Sequence, residues 1–184
     1  FFTLDMLNSF TEMMTEKEQL AWSSFLPALM ACIGATKGAV LELGIGHFST
    51  PSLHSLCGAM GRKLVSVETD REWFDGFYPR FEHSQKPVHV FDFRNDADRV
   101  KWSLGPWSVS FIDDSPGGEN RKNWFMLLIH SSQYVVVHDY HLDNEESIGP
   151  LLDRVKYKHI TRTYGPPTLV ASMTKPIPQS ILCL

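Results

Sequence analysis

Two short stretches of the chain set acids, imidazoles and hydroxyls directly behind apolar runs: Phe111-Ile112-Asp113-Asp114-Ser115-Pro116 and Val137-His138-Asp139-Tyr140-His141. Groups of these types can take a proton from a hydroxyl or hold a divalent cation between carboxylates. They can also simply brace one another or open a helix, the plain structural reading of His138 and of Asp114-Ser115-Pro116. A third stretch, Glu42-Leu43-Gly44-Ile45-Gly46, ends an apolar run on two glycines one residue apart, and Ser49-Thr50-Pro51 follows. Glycine permits positive φ and lets a ligand approach the backbone without a Cβ in the way. A helix start at Ser49 offers N–H groups and a positive dipole end to an anion.

These residues need elements to bring them together. Val40 to Leu43 reads as a strand, and Thr50 to Met60 as a helix with Pro51 in its first turn. Lys63 to Glu68, Val88 to Phe93, Trp107 to Asp113 and Tyr134 to Val137 are further strands. Helices are expected from Arg71 to about Phe81, near Asp96 to Trp102, and from about Asn120 to Ser131. Short apolar runs separated by helices imply parallel strands buried on both faces. Tyr157 to Tyr164 and Thr168 to Met173, joined by Gly165-Pro166-Pro167, leave no room for a crossover helix and predict an antiparallel hairpin.

Residues 1–38 are expected to form a helical cover over a core spanning 39–175, within a single domain of 184 residues. Thr15 and Glu18 have the spacing of a capping box, which predicts two helices rather than one, with Pro27 kinking or dividing the second. Trp22, Phe25, Leu26, Leu29 and Ile33 fall on one helical face.

The net charge of −4 gives no broad basic face, so no nucleic-acid partner is expected. Arg154, Lys156, Lys158 and Arg162 alternate like the solvated face of an edge strand. The apolar stretch from Phe25 to Leu43 is broken by Pro27, Gly34, Lys37 and Gly38, and no membrane span is expected there. Three cysteines without metal spacing read as reduced thiols, so a cytoplasmic setting is expected. Trp22, Trp73, Trp107 and Trp124 lie in periodic segments and are expected in the core or an interface. The length and the N-terminal helices permit a homodimer.

Glu68 ends the second strand twenty-four residues after Gly44. A carboxylate there can accept both hydroxyls of a ribose, and with the glycine turn it points to an adenosyl cofactor. Dinucleotide and S-adenosylmethionine enzymes share that pairing. A dinucleotide fingerprint wants a third glycine where Ser49 stands, and a terminal hairpin is foreign to the usual dinucleotide sheet.

On E-x-G-x-G at Glu42 to Gly46, and on Glu68 in VSVETD, the chain resembles the class I S-adenosylmethionine-dependent methyltransferases over residues 39 to about 175. The resemblance implies an α/β fold, a Rossmann-like doubly wound sheet of seven strands. Its order would be 3-2-1-4-5-7-6 with strand 7 antiparallel, plus N-terminal helices. It implies S-adenosyl-L-methionine held by Glu42, Gly44, Gly46, Ser49 and Glu68, with adenine near Thr69, Asp92 and Phe93. Asp113 would hold the methionine amino group or a metal.

The strand-end acids are similar to those of the catechol-type, metal-dependent O-methyltransferases. Asp113 and Asp139 match that pattern, which implies Mg2+ or Ca2+ on these two residues. Tyr140 stands at the position of the family's Asn. Asp114, His138, Asp139 and His141 are the candidates for catalysis. The activity implied is methyl transfer to a small-molecule acceptor, on oxygen. A cofactor-binding or partner-binding module without turnover, or an NAD-dependent oxidoreductase, are the alternatives.

Overall fold

The computed structural model describes residues 14–77, 89–93, 102, 104–162 and 164–183, with the backbone alone at 89 and 91–93. Two helices, α1 (Glu16–Ser23) and α2 (Leu26–Gly34), precede the sheet. Thr15 caps α1 through a complete capping box with Glu18, and Pro27 sits in the first turn of α2. Trp22 does not share a face with Phe25, Leu29 and Ile33 as expected. The chain breaks at Ser24, so Trp22 stays on α1 and half exposed while the other three are buried.

β1 (Val40–Leu43), β2 (Leu64–Glu68), β3 (His89–Phe93), β4 (Trp107–Ile112), β5 (Ser132–Val137), β6 (Tyr157–Thr161) and β7 (Thr168–Ser172) form one sheet. The order is β3-β2-β1-β4-β5-β7-β6. All described pairings are parallel except those of β7, which runs antiparallel to β5 and β6. Helices α3 (Ser49–Ala59), α4 (Arg71–Phe77) and α5 (Glu119–Leu128) connect the strands. The short α6 (Asp143–Ile148) and a 3-10 turn (Gly149–Arg154) fill the link from β5 to β6, and α7 (Gln179–Leu182) closes the chain. The polar helix expected near Asp96 falls outside the described residues, as does any continuation of α4 past Phe77. No described helix is long and apolar enough to cross a membrane.

Alternation along the strands sends side chains to two cores. Leu41, Leu43, Val65, Val67, Val135 and Val137 pack with Trp124, Phe125 and Leu128 of α5. Val40, Leu64, Val109, Phe111 and Val136 pack with Phe25, Leu29 and Ile33 on the opposite face. Register then sets the site. Leu43 lies level with Val67 and Ile112, and Val137 with Ile112 and Leu169. The residues just beyond β1, β2, β4 and β5 therefore share one edge with the β6–β7 loop.

One acid is buried inside this sheet. Glu42 has no exposed surface; its Oε1 accepts from Thr50 Oγ1 at 2.9 Å and its Oε2 accepts from Ser66 Oγ. Burial pushes its pKa up to about 7, against the lowering effect of its hydroxyl partners. Because the folded pKa lies above the unfolded value of 4.5, Glu42 contributes stability that is full below about pH 4.5 and gone above about pH 7. Glu42→Gln should therefore gain on the wild type by roughly 2–3 kcal/mol as denaturation is moved from pH 5 to pH 8. Parallel stability curves would mean that Glu42 is ionised throughout.

Candidate active site

Gly44 follows β1 with φ +85°, and a Cβ there would lie 2.7 Å from the backbone of Asp113 and Asp114. The close approach this glycine serves is thus to the chain itself: it lets the turn after β1 pass against the end of β4. The chain itself therefore bars a side chain at this position. The N–H of Gly46 donates to Thr50 Oγ1 at 2.9 Å, and Thr50 in turn donates to Glu42. Glu42 therefore supports the turn from beneath rather than opening onto the cleft. Ser49 is buried in the first turn of α3.

Glu68 stands at the neighbouring strand end. Its Oε2 accepts from Ile45 N at 3.0 Å, and its Oε1 from Thr69 N at 2.6 Å and Asp70 N at 2.8 Å. Trp73 reaches across, donating from Nε1 to Ile45 O at 2.7 Å. The rings of His47, Trp73 and Phe77 lie 5.0–5.9 Å apart. With Asp70, Glu72 and Gly76 they line a cavity of about 330 Å3. Trp73, expected in the core or an interface, is 38% exposed and forms part of this wall, because α4 presents it over the glycine turn. The side chains of Asp92 and Phe93 lie outside what the structure describes.

Beyond β4 and β5 the acids and the imidazole meet. His138 Nδ1 lies 3.2 Å from Asp113 Oδ1, and its Nε2 lies 3.5 Å from Asp139 Oδ1 and 3.2 Å from Ser24 Oγ. Donor atoms of Asp113, His138 and Asp139 all fall within 4.8 Å of one another. Asp139 has φ 52°, a left-handed conformation that costs a non-glycine residue about 1 kcal/mol. The three residues line a cavity of about 290 Å3 with Ala21, Trp22 and Pro166. Of the N-terminal helices expected as a cover, α1 places Ala21 and Trp22 on this cavity, and residues 1–13 lie outside the description.

Two expected members are elsewhere. Asp114 is buried against α5, where its Oδ2 accepts from Trp124 Nε1 and Asn120 Nδ2, both at 3.0 Å. Successive residues after a strand point opposite ways, so Asp113 faces the cavity and Asp114 anchors the helix. His141 does not line the cavity, and its buried Nδ1 has no hydrogen-bond partner among the described residues. Tyr140 is buried at 1% exposure and packs in the core under α5.

The residue that organises the cluster was not singled out in the sequence. Arg121 of α5 places Nη2 3.1 Å from Asp113 Oδ1 and Nη1 3.9 Å from Asp139 Oδ2. It also donates to His138 O at 2.7 Å and Asp114 O at 2.9 Å. A signal was present: Arg121, Trp124, Phe125 and Leu128 occupy one helical stripe, so a cation sits where the helix is otherwise apolar. Ser24, which donates to Pro166 O at 3.0 Å, had no comparable signal.

No protein-family model matches the sequence, and no curated protein matches it. Solved structures do match by shape. A Klebsiella pneumoniae protein assigned as an O-methyltransferase superposes with a TM-score of 0.66 at 12% identity, over 92% of this chain and 88% of its own. The O-methyltransferase TomG of Streptomyces achromogenes, involved in tomaymycin synthesis and solved with S-adenosylmethionine, gives 0.60 at 14%, over 93% and 96%. Monomeric WbdD gives 0.61 at 13%, over 94% of this chain and 45% of its own, so the chain spans just under half the length of that protein. At these identities the likeness is one of fold: the chain has a mixed α/β, Rossmann-like fold, which it shares with these solved structures.

Proposed function

We propose that the chain transfers a methyl group from S-adenosylmethionine to the hydroxyl of a small acceptor. The observation that carries this reading is the imidazole of His138 set between two strand-end carboxylates on the floor of a cavity walled by Trp22, Ala21 and Pro166. The glycine turn, Ser49, His47, Glu68, Asp70 and Trp73 would hold the cofactor. Glu68 fits a ribose because Oε2 accepts a single N–H and retains capacity for a hydroxyl. The bound cofactor supplies an electrophilic methyl group on a sulfonium.

The chain's own residues position the acceptor and receive its proton. The incoming hydroxyl donates its hydrogen bond to His138 Nε2, beside Asp139, the more exposed carboxylate. His138 takes the proton at Nε2, where Asp139 balances the new charge, while Nδ1 remains on Asp113. Trp22 covers the apolar body of the acceptor and keeps water away from the reacting oxygen. An acceptor with an apolar or aromatic body suits these walls.

A second reading, a binding module without turnover, is favoured by one observation. Both oxygens of Glu68 already accept backbone N–H groups, and Trp73 bridges to Ile45 above them. On that reading the turn is closed in its working state.

Calorimetric titration with S-adenosylhomocysteine tests both readings, with NADH as the control. Binding of the first and silence from the second is the expected outcome; no binding of S-adenosylhomocysteine to the folded chain would end the methyltransferase reading. In a preparation active on a phenol or alcohol panel, His138→Gln should keep that affinity and lose about a hundredfold or more in kcat. Retained turnover would remove His138 from the proton's path, and affinity without turnover in the wild type would favour the binding module. Trp22→Ala should raise the acceptor's KM by about tenfold while leaving S-adenosylhomocysteine affinity unchanged. An equal loss in both would place Trp22 against the cofactor instead.

A further inference from the structure

We infer that Arg121 stands in place of a divalent cation between Asp113 and Asp139, so that the strand-end cluster works without a metal ion. The inference deepens the proposed chemistry of that site, yet it concerns ion binding, which is read without cofactor or acceptor. Three observations carry it.

First, the charge that a cation would supply is already there. The Arg121 guanidinium lies 3.1 Å from Asp113 and 3.9 Å from Asp139, and it is held in place by the carbonyls of Asp114 and His138. At 8% side-chain exposure it has no route to swing into solvent and make way. An ion bound to the same oxygens would sit beside a fixed positive charge with little water to screen it.

Second, the donor set is too small for the hard cations. Mg2+ and Ca2+ take six or more oxygens. Here two carboxylates and one imidazole converge, and no further His, Cys, Asp or Glu joins them among the described residues. Tyr140, at the position where an amide oxygen would complete the set, is turned into the core.

Third, the carboxylate oxygens facing the cavity are already engaged. Asp113 Oδ1 meets both Arg121 Nη2 and His138 Nδ1, and Asp139 Oδ1 faces His138 Nε2. Two acids and one guanidinium leave a single negative charge, which a divalent cation would overshoot.

Mn2+, a spectroscopic stand-in for Mg2+, is the probe. Its EPR signal in the presence of excess full chain should remain that of the free aqueous ion. Arg121→Met, which keeps the apolar stem, and Arg121→Gln should each gain at least about tenfold in Mn2+ affinity as the acids lose their counter-charge. Asp139→Asn placed on top of either change should abolish that gain. Stoichiometric Mn2+ binding by the wild type, lost on Asp139→Asn, would overturn the inference. So would folded Arg121 variants that bind no more Mn2+ than the wild type. If neither variant folds, the wild-type titration decides alone: no binding supports the metal-free site and stoichiometric binding refutes it. Failure of S-adenosylhomocysteine to bind would leave this result standing, so the two proposals fail separately.

Discussion

The buried guanidinium of Arg121 is the interaction on which the site depends. Among the described residues it is the one group that reaches Asp113 and Asp114 beyond β4 and His138 and Asp139 beyond β5 at the same time. Two carboxylates brought within reach of one imidazole would otherwise repel. Without the guanidinium, two partly exposed acids would face one another with no counter-charge between them. The same helix face that carries Arg121 carries Trp124, Phe125 and Leu128 into the core beneath the sheet. Packing of α5 therefore fixes the guanidinium, and the guanidinium fixes the chemistry at the strand ends.

The sheet delivers the other half of the site by register. Parallel pairing brings the ends of β1, β2, β4 and β5 level, and the antiparallel β7 returns its loop to the same edge. Tyr140 N donates to Pro167 O at 2.8 Å, and Ser24 Oγ to Pro166 O at 3.0 Å, so this loop joins the β5 end to α1. The cover over the cavity is thereby attached to the sheet rather than hung from the chain alone. On the other side, Glu42, Thr50 and Gly46 form a chain of hydrogen bonds that stiffens the first turn from below.

Much of this architecture was legible in the sequence because it is local. Apolar runs of strand length, the capping box at Thr15 and the Gly-Pro-Pro hairpin each report their own neighbourhood, and the elements stand where those signals put them. What was not legible depends on facing partners. Asp113 and Asp114 are adjacent in sequence, but only the packing of α5 decides that the second is an anchor and the first faces the cavity. That Gly44 also lies against the backbone of Asp113 depends likewise on a facing partner. Trp73 looked like core, since nothing in the periodicity of a seven-residue helix says that it leans over a turn 28 residues earlier. The short α6 and the 3-10 turn carry a helical period at Ile148, Leu151, Leu152 and Val155 behind a polar first turn, a signal that the reading of the sequence passed over.

On the proposed function, one ligand-binding edge joins the glycine turn to the His138 cluster. The most direct measurement is the imidazole 15N–1H spectrum of the whole protein during addition of S-adenosylhomocysteine. Signals of His138 and of His47 beside the turn should shift together along one saturable curve. Those of His130, just after α5 and next to the start of β5 at the far edge of the sheet, should stay in place. Shifts confined to His130, or no saturable shift at His47 and His138, would contradict the account.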